Sequence, residues 1–181
     1  MRIAALLLAA CAVVPPALAD QKDPRLDELF KALSETKSER AATPIEEEIW
    51  RIWNEAKSPT TALLLDRSSS VAESGDLDTA LTLLDTLIAL DPDFAEGWAT
   101  RATLRVMREE TDAAIKDIEH ALALEPRHFA ALAGLGQIMM GLGNDKAALA
   151  AFDAALKINP SLGEIRTQAE TLRRKIAGQR I

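Results

Sequence analysis

The chain has 181 residues and a formal charge of −7, from 28 acidic against 21 basic side chains; no basic stripe offsets that charge, which argues against nucleic acid as a ligand. Its residues are 48% apolar, with few aromatics and no Tyr, which suits one small all-helical domain. Cys11 is the single cysteine, so a chain cut beyond it has no disulfide, thiol nucleophile or cysteine metal site.

Residues 1–19 read as a signal peptide: Arg2 gives a positive start, Ile3 to Val14 is apolar, and Ala17-Leu18-Ala19 is the small-x-small pattern of a cleavage site. The run is too short for a membrane span, which needs roughly 20 apolar residues. A lipoprotein signal is the other alternative, because Leu8-Ala9-Ala10-Cys11 resembles a lipobox, and membrane contact is expected only if Cys11 is acylated. The export signal on a chain otherwise free of cysteine points to the bacterial periplasm, with a lipid-anchored protein as the alternative.

Residues 20–42 hold a short amphipathic helix and a linker. Leu26, Leu29, Phe30 and Leu33 share one face of Asp23 to Leu33, either as a terminal helix packed on the domain or as an arm that docks a partner or second copy. Residues 43–58 form a second helix that opens on a capping box, Thr43-Pro44-Ile45-Glu46, with Pro44 in the first turn where its missing N–H costs nothing. Ile45, Ile49, Ile52, Trp53 and Ala56 form its stripe. Trp50 lies off it, read either as a flank contact with the Leu26/Phe30 helix or as an exposed anchor for a partner.

From residue 61 the chain repeats itself every 34 residues. Ala80, Ala114 and Ala148 align, as do Leu84/Ile118/Phe152, Ile88/Leu122/Leu156 and Leu90/Leu124/Ile158, and each copy closes on Pro92, Pro126 or Pro160 after Asp91, Glu125 or Asn159. Steps of four, three and one put the apolar positions on one helical face, and proline ends each helix at the same place. Upstream of each lies a second helical stretch, with aligned breaks at Gly75-Asp76, Glu109-Glu110 and Gly143-Asn144. The unit is helix, turn, helix, turn, in three copies at 61–94, 95–128 and 129–162. Pro59 lies nearly one period before Pro92, so the 43–58 helix is expected as a degenerate half-repeat capping the array. Residues 163–177 form a terminal cap, with Ser161-Leu162-Gly163-Glu164 as its capping box and Ile165, Ala169, Leu172 and Ile176 as its stripe. Its Arg173, Arg174 and Lys175 either complement the helix end or meet an acidic partner or lipid headgroup.

This pattern resembles the tetratricopeptide repeat proteins. Trp98 stands in the first-helix aromatic slot and Leu135-Gly136 in the Leu-Gly slot, while Leu64 and Leu132 replace the Trp, and Val71, Arg105 and Met139 the Tyr. The segments Leu26 to Phe30 and Glu48 to Trp53 are similar to small exported members from Gram-negative bacteria, a resemblance that carries no shared activity. It implies an all-α, right-handed α-solenoid whose first helices line a concave groove. In that register Leu65, Ser69 and Ala72, then Ala99, Thr103 and Val106, then Ala133, Gln137 and Met140 form the wall, with Trp50, Leu26 and Phe30 as auxiliary contacts. A Lys/Asn carboxylate clamp is not visible, which disfavours a peptide C-terminus and favours an amphipathic helix or an apolar extended peptide.

No constellation reads as catalytic. His120 and His128 are separated by the Pro126 turn with no further ligands clustered about them, so no metal site is expected. Asp85, Glu119 and Asp153 form a solvated row, and no phosphate loop or nucleophile motif is present, so neither a cofactor nor enzymatic activity is expected. The expectation is a non-catalytic module that holds a protein or peptide partner in the periplasm. A self-associating subunit or lipoprotein of an outer-membrane assembly, forming homo-oligomers, is the alternative.

Overall fold

The computed structural model describes residues 23–55 and 58–178, so the signal peptide, Cys11 and the lipobox reading lie outside the described residues. Nine α-helices and no strand occur among these residues. The helices are α1 (Arg25–Glu35), α2 (Glu39–Asn54), α3 (Pro59–Glu73), α4 (Leu77–Leu90), α5 (Ala95–Met107), α6 (Thr111–Leu124), α7 (Phe129–Gly141), α8 (Asp145–Ile158) and α9 (Gly163–Gly178). The pairs α3/α4, α5/α6 and α7/α8 are the three repeats, and each pair stacks on the next.

The period sets the turns as well as the helices. Between the two helices of each pair the chain turns through a left-handed residue, Gly75 (φ 89°), Glu109 (φ 61°) and Gly143 (φ 74°). At the end of each second helix Asp91, Glu125 and Asn159 are buried C-caps, their N–H groups bonded to the carbonyls of Leu87, Ala121 and Ala155 at 2.8, 2.8 and 2.9 Å. Glu125 stays buried because Arg127 answers it three times, through its backbone N–H, Nε and Nη2 at 2.8, 3.0 and 3.0 Å. Within a pair the helices approach closely at a small residue, Ser68, Ala102 or Gly136; a Cβ on Gly136 would sit 2.4 Å from the ring of fully buried Phe152.

Successive repeats meet through three slots on the first helix of each pair. In the second repeat Phe94, Gly97 and Leu104 pack on the first, with Gly97 facing the Leu87 and Ile88 side chains. In the third, Ala131 and Ile138 fill the same role against Ala102 and Ile118. The first repeat carries Thr60, Leu63 and Ser70 there, all exposed, and Leu63 is 67% exposed. Its outer face is thus largely polar, as a terminal repeat requires.

That polarity explains where the N-terminal hairpin goes. Helices α1 and α2 close a core of Leu26, Phe30, Leu33, Ala42, Ile49, Ile52 and Trp53, and the residues that complete it are Phe129, Ala130, Ile158 and Leu162 of the third repeat and its following turn. Trp53 stacks on His128 with ring centres 4.5 Å apart, and the Arg127 guanidinium lies over Phe30 at 4.5 Å. Glu46 accepts from Asn159 Nδ2 at 2.7 Å and from the Ser161 hydroxyl at 2.9 Å. The helix expected at 43–58 as a half-repeat in front of the array therefore closes its core on the third repeat: Phe129 and Ile158 offer apolar surface, whereas Thr60 and Ser70 do not.

Two local expectations change with it. α2 begins at Glu39 and not at Thr43, whose hydroxyl donates to the Glu39 carbonyl at 2.9 Å, and Pro44 lies inside the helix. Burial of Ala42 against α1 draws the helix back one turn, and the bond that Pro44 omits falls on an exposed face. Ser161, read as the N-cap of the last helix, bonds Glu46 and Asn159, and α9 starts at Gly163. Helix α9 lays Ile165, Ala169 and Leu172 against the α8 side of the third repeat. Its cations turn back to the same helix pair: Arg173 pairs with Asp153, and Lys175 with Asp145 at 2.7 Å.

Candidate functional site

The first helices of the repeats, α3, α5 and α7, share one wall of a cleft of about 700 Å³. Small side chains make it concave. Ser69 and Ala72 come from α3, Ala99, Thr103 and Val106 from α5, and Gln137 from α7, so six expected groove residues line one cavity. The other three do not. Leu65 and Ala133 are 8% and 9% exposed, because each turns toward its own second helix, Leu65 to Leu81 and Leu84, and Ala133 to Phe152. Met140 is 36% exposed and lies outside this wall.

The wall extends about one turn further toward the helix N-termini, and one residue further toward the C-termini, than its spacing suggested. Glu96, Ala130 and Gly134 continue the stripes of α5 and α7 toward their N-termini, and Glu73 and Met107 continue those of α3 and α5 toward their C-termini. The steps of three and four from Ala99 to Thr103 and Val106 could have found Glu96 and Met107 by continuation. Trp50, expected as an auxiliary contact, lines the cleft because α2 docks beside α7. It packs edge-on against Trp53, His128 and Phe129 at 5.2, 5.7 and 5.8 Å between ring centres, and the cleft meets its side chain. Leu26 and Phe30, at 0% and 7% exposed, belong to the core that the hairpin shares with the third repeat and do not line this cleft.

Hydrogen bonds fix the polar edge of the cleft. His128 is the N-cap of α7: its Nδ1 accepts the N–H of Ala131 at 3.2 Å, so the proton sits on Nε2, which donates to Glu96 Oε2 at 3.2 Å. The other Glu96 oxygen accepts from the Thr100 hydroxyl at 3.3 Å. The basic side chains of α5 face the opposite side. Arg101 gives Nε and Nη2 to Asp117 at 2.8 and 2.7 Å, Arg105 adds Nη1 at 2.7 Å, and Arg101 also reaches Asp85 at 2.6 Å. The hydrogen bond to Asp117 raises the Arg101 pKa further above its ordinary value, against the burial that opposes it. The Asp117 carboxylate is 2% exposed, so this triad is an internal tie between α5 and α6. The sequence reading passed over Asp117 and took Arg105 only as a departure at an aromatic slot.

Four exposed apolar side chains gather at the C-terminal ends of α5 and α7, away from the Glu96 and His128 edge. Val106, Met107, Met140 and Leu142, at 44%, 59%, 36% and 59% exposed, occupy the last turns of α5 and α7 and the residue after. Among the described residues no group of three or more His, Cys, Asp or Glu is placed to hold a metal ion. The geometry offers a surface for another chain.

Stacked helix pairs that present their first helices on a concave wall define an α-solenoid of helix–turn–helix repeats. The chain belongs to the tetratricopeptide repeat proteins. The family described as tetratricopeptide repeat matches residues 99–162. A TPR repeat-containing protein of Rhizobium etli is 39% identical over 156 residues, a stretch that spans 86% of this chain and 76% of that one. Among solved structures, the first TPR of Spaghetti (RPAP3), bound to the HSP90 peptide SRMEEVD, superposes with a TM-score of 0.63 at 18% identity over 66% of this chain and 95% of that one. MamA superposes with a TM-score of 0.61, also at 18% identity, over 87% of this chain and 84% of that one. At these identities the structural likeness shows the fold.

Proposed function

We propose that the protein is a non-catalytic interaction module of the bacterial periplasm that holds a helix or extended segment of an envelope or exported protein in the α3/α5/α7 cleft. The observation that carries this reading is the coincidence of small wall residues with exposed Val106 and Met107 along one cavity. Apolar side chains of that size left in water represent burial still available, at about 25 cal/mol per Å² before ordering costs. Peptide binding by a structural neighbour of the same fold supports the class of partner. The periplasmic address rests on Arg2, the apolar run and Ala17-Leu18-Ala19, together with the lack of cysteine after residue 11.

The test is a photo-crosslinking residue at Thr103, in the middle of α5, with products identified by mass spectrometry from intact cells. Capture of one envelope or exported protein, lost when Ala99 and Gln137 are both changed to Arg, is the expected result. Capture of the chain itself would replace this reading with self-association. A crosslink that survives both Arg substitutions would remove the cleft as the site.

A further inference from the structure

We infer that the segment held in the cleft is cationic as well as apolar, with Lys or Arg side chains beside its anchoring face. This rests on the cleft being the partner site and adds the chemistry of the partner. The argument is a charge census of the wall. Its carboxylates are Glu73 and Glu96, and among the described residues neither Lys nor Arg lines it. Helix α7, with the sequence FAALAGLGQIMMG, brings no ionisable side chain at all.

The cations of α5 cannot swing in to neutralise those acids, because they are tied elsewhere. Arg101 and Arg105 hold Asp117 behind the wall, and Arg108 pairs with Asp78 at 2.6 Å and Glu110 at 3.1 Å. Glu73 is exposed and has no ion-pair partner among the described residues. Glu96 does have hydrogen-bond partners, His128 Nε2 and the Thr100 hydroxyl, but no Lys or Arg among the described residues reaches it. The C-terminal ends of α3 and α5 add the negative pole of the helix dipole beside Glu73 and Met107, at the end of the wall away from Glu96. An acidic segment entering here would meet the exposed Glu73 carboxylate, with Glu96 further along the wall, and no Lys or Arg among the described lining residues, and like charges brought together in this way are a barrier to the wrong partner. Exposed Val106 and Met107 supply the apolar half of the recognition, and the thioether of Met107 adapts to different side chains.

The experiment uses the secreted chain and two synthetic peptides of about 16 residues with one shared Leu/Ala face, one carrying Lys and the other Glu on its polar face. Binding is followed by fluorescence anisotropy of labelled peptide at low and at physiological salt. The Lys peptide is expected to bind at least about tenfold more tightly than the Glu peptide, with the ratio shrinking as salt is raised. Glu73→Gln should weaken the Lys peptide about threefold, as for one exposed pair. Thr103→Trp, a neutral block on an exposed wall position, should abolish binding of the Lys peptide. Equal binding of both peptides, blocked by Thr103→Trp, would overturn the charge inference while leaving the cleft as the site. Binding of neither peptide, or binding that ignores Thr103→Trp, would overturn the cleft reading and this inference with it.

Discussion

Asp117 offers the sharpest test of how the second repeat is held together. Its carboxylate is 2% exposed and accepts bonds of 2.8, 2.7 and 2.7 Å from two guanidinium groups, Arg101 at 11% and Arg105 at 22% side-chain exposure. Asp117→Ala removes the only buried anion of the triad and leaves two like charges against each other. Breaking a buried pair in this way costs about 3–5 kcal/mol. Arg101 keeps Asp85, but that carboxylate is 60% exposed and so recovers little. Arg105 keeps part of its solvent, which favours the lower end, about 3 kcal/mol, or about 8 °C in Tm for a domain of this size.

The control is written in the chain itself. One repeat further on, the positions of Arg101, Arg105 and Asp117 are Leu135, Met139 and Ala151, an apolar version of the same contact. The triple variant Arg101→Leu, Arg105→Met, Asp117→Ala copies it and should be within about 1 kcal/mol of the parent or above it, because a buried ion triad can be exchanged for packed apolar groups without loss. Thermal and urea denaturation followed by circular dichroism would measure both. Trp98 fluorescence reports on the second repeat directly, since its ring lies 4.8 Å under the Arg101 guanidinium and is stacked on His120. A single variant that loses less than about 1 kcal/mol, or a triple variant less stable than the single one, would refute the reasoning.

Three further changes probe the turns, the packing and the hairpin. Glu109→Gly should stabilise the protein by about 0.5–1 kcal/mol, since φ 61° is strained for Glu while Gly75 and Gly143 serve the equivalent turns; a lower Tm would count against the turn account. Gly136→Ala should destabilise by about 1–3 kcal/mol, and more than Gly97→Ala: the first Cβ meets the ring of fully buried Phe152 at 2.4 Å, the second only the Leu87 methyl end at 2.5 Å. Equal losses would show that the Phe152 ring yields. Arg25, chiefly by its side-chain hydrogen bond, holds the Asp23 carboxyl below its ordinary value near 3.8, with burial acting the other way. The stabilisation is therefore present in full above that value and is lost as the pH falls through the lower, folded one. Asp23→Asn should be less stable than the parent at neutral pH, with the difference closing in strong acid, as read by Trp50 and Trp53 fluorescence of the hairpin; a constant difference would detach Asp23 from the acid response.

The array was legible because its information is local and written three times. Leu84, Ile118 and Phe152 sit at one spacing, the prolines punctuate it, and helical period alone turns the apolar residues to one face. The groove was legible to the same depth: Ser69, Thr103 and Gln137 fall on the wall at a constant 34-residue step. Leu65 and Ala133 were misplaced because periodicity fixes a position on a helix but not how a flank turns against its partner helix. The hairpin was legible as two helices and not as a location, since contacts such as Glu46 with Asn159 join residues 113 apart and no spacing encodes them.

One signal for the hairpin's location was present in the sequence and is physical. If α1 and α2 stacked in front of the first repeat, Thr60, Leu63 and Ser70 would have to do what Phe94, Gly97 and Leu104 do one repeat later. Thr and Ser hydroxyls buried there would need partners that an apolar hairpin face cannot offer, a cost of about 1–3 kcal/mol each. The third repeat presents Phe129 and Ile158, and its turn residues Asn159 and Ser161 find an acceptor in Glu46. Comparing the three interface slots across the repeats, before placing any helix, thus separates a repeat built to be covered from one built to face water. Replacing Thr60 by Phe and Ser70 by Leu would erase that difference. The expected result is a sticky first repeat, seen as concentration-dependent association in sedimentation, while Trp53 keeps its contact with His128; a hairpin that left the third repeat in this variant would show that slot polarity alone decides its place.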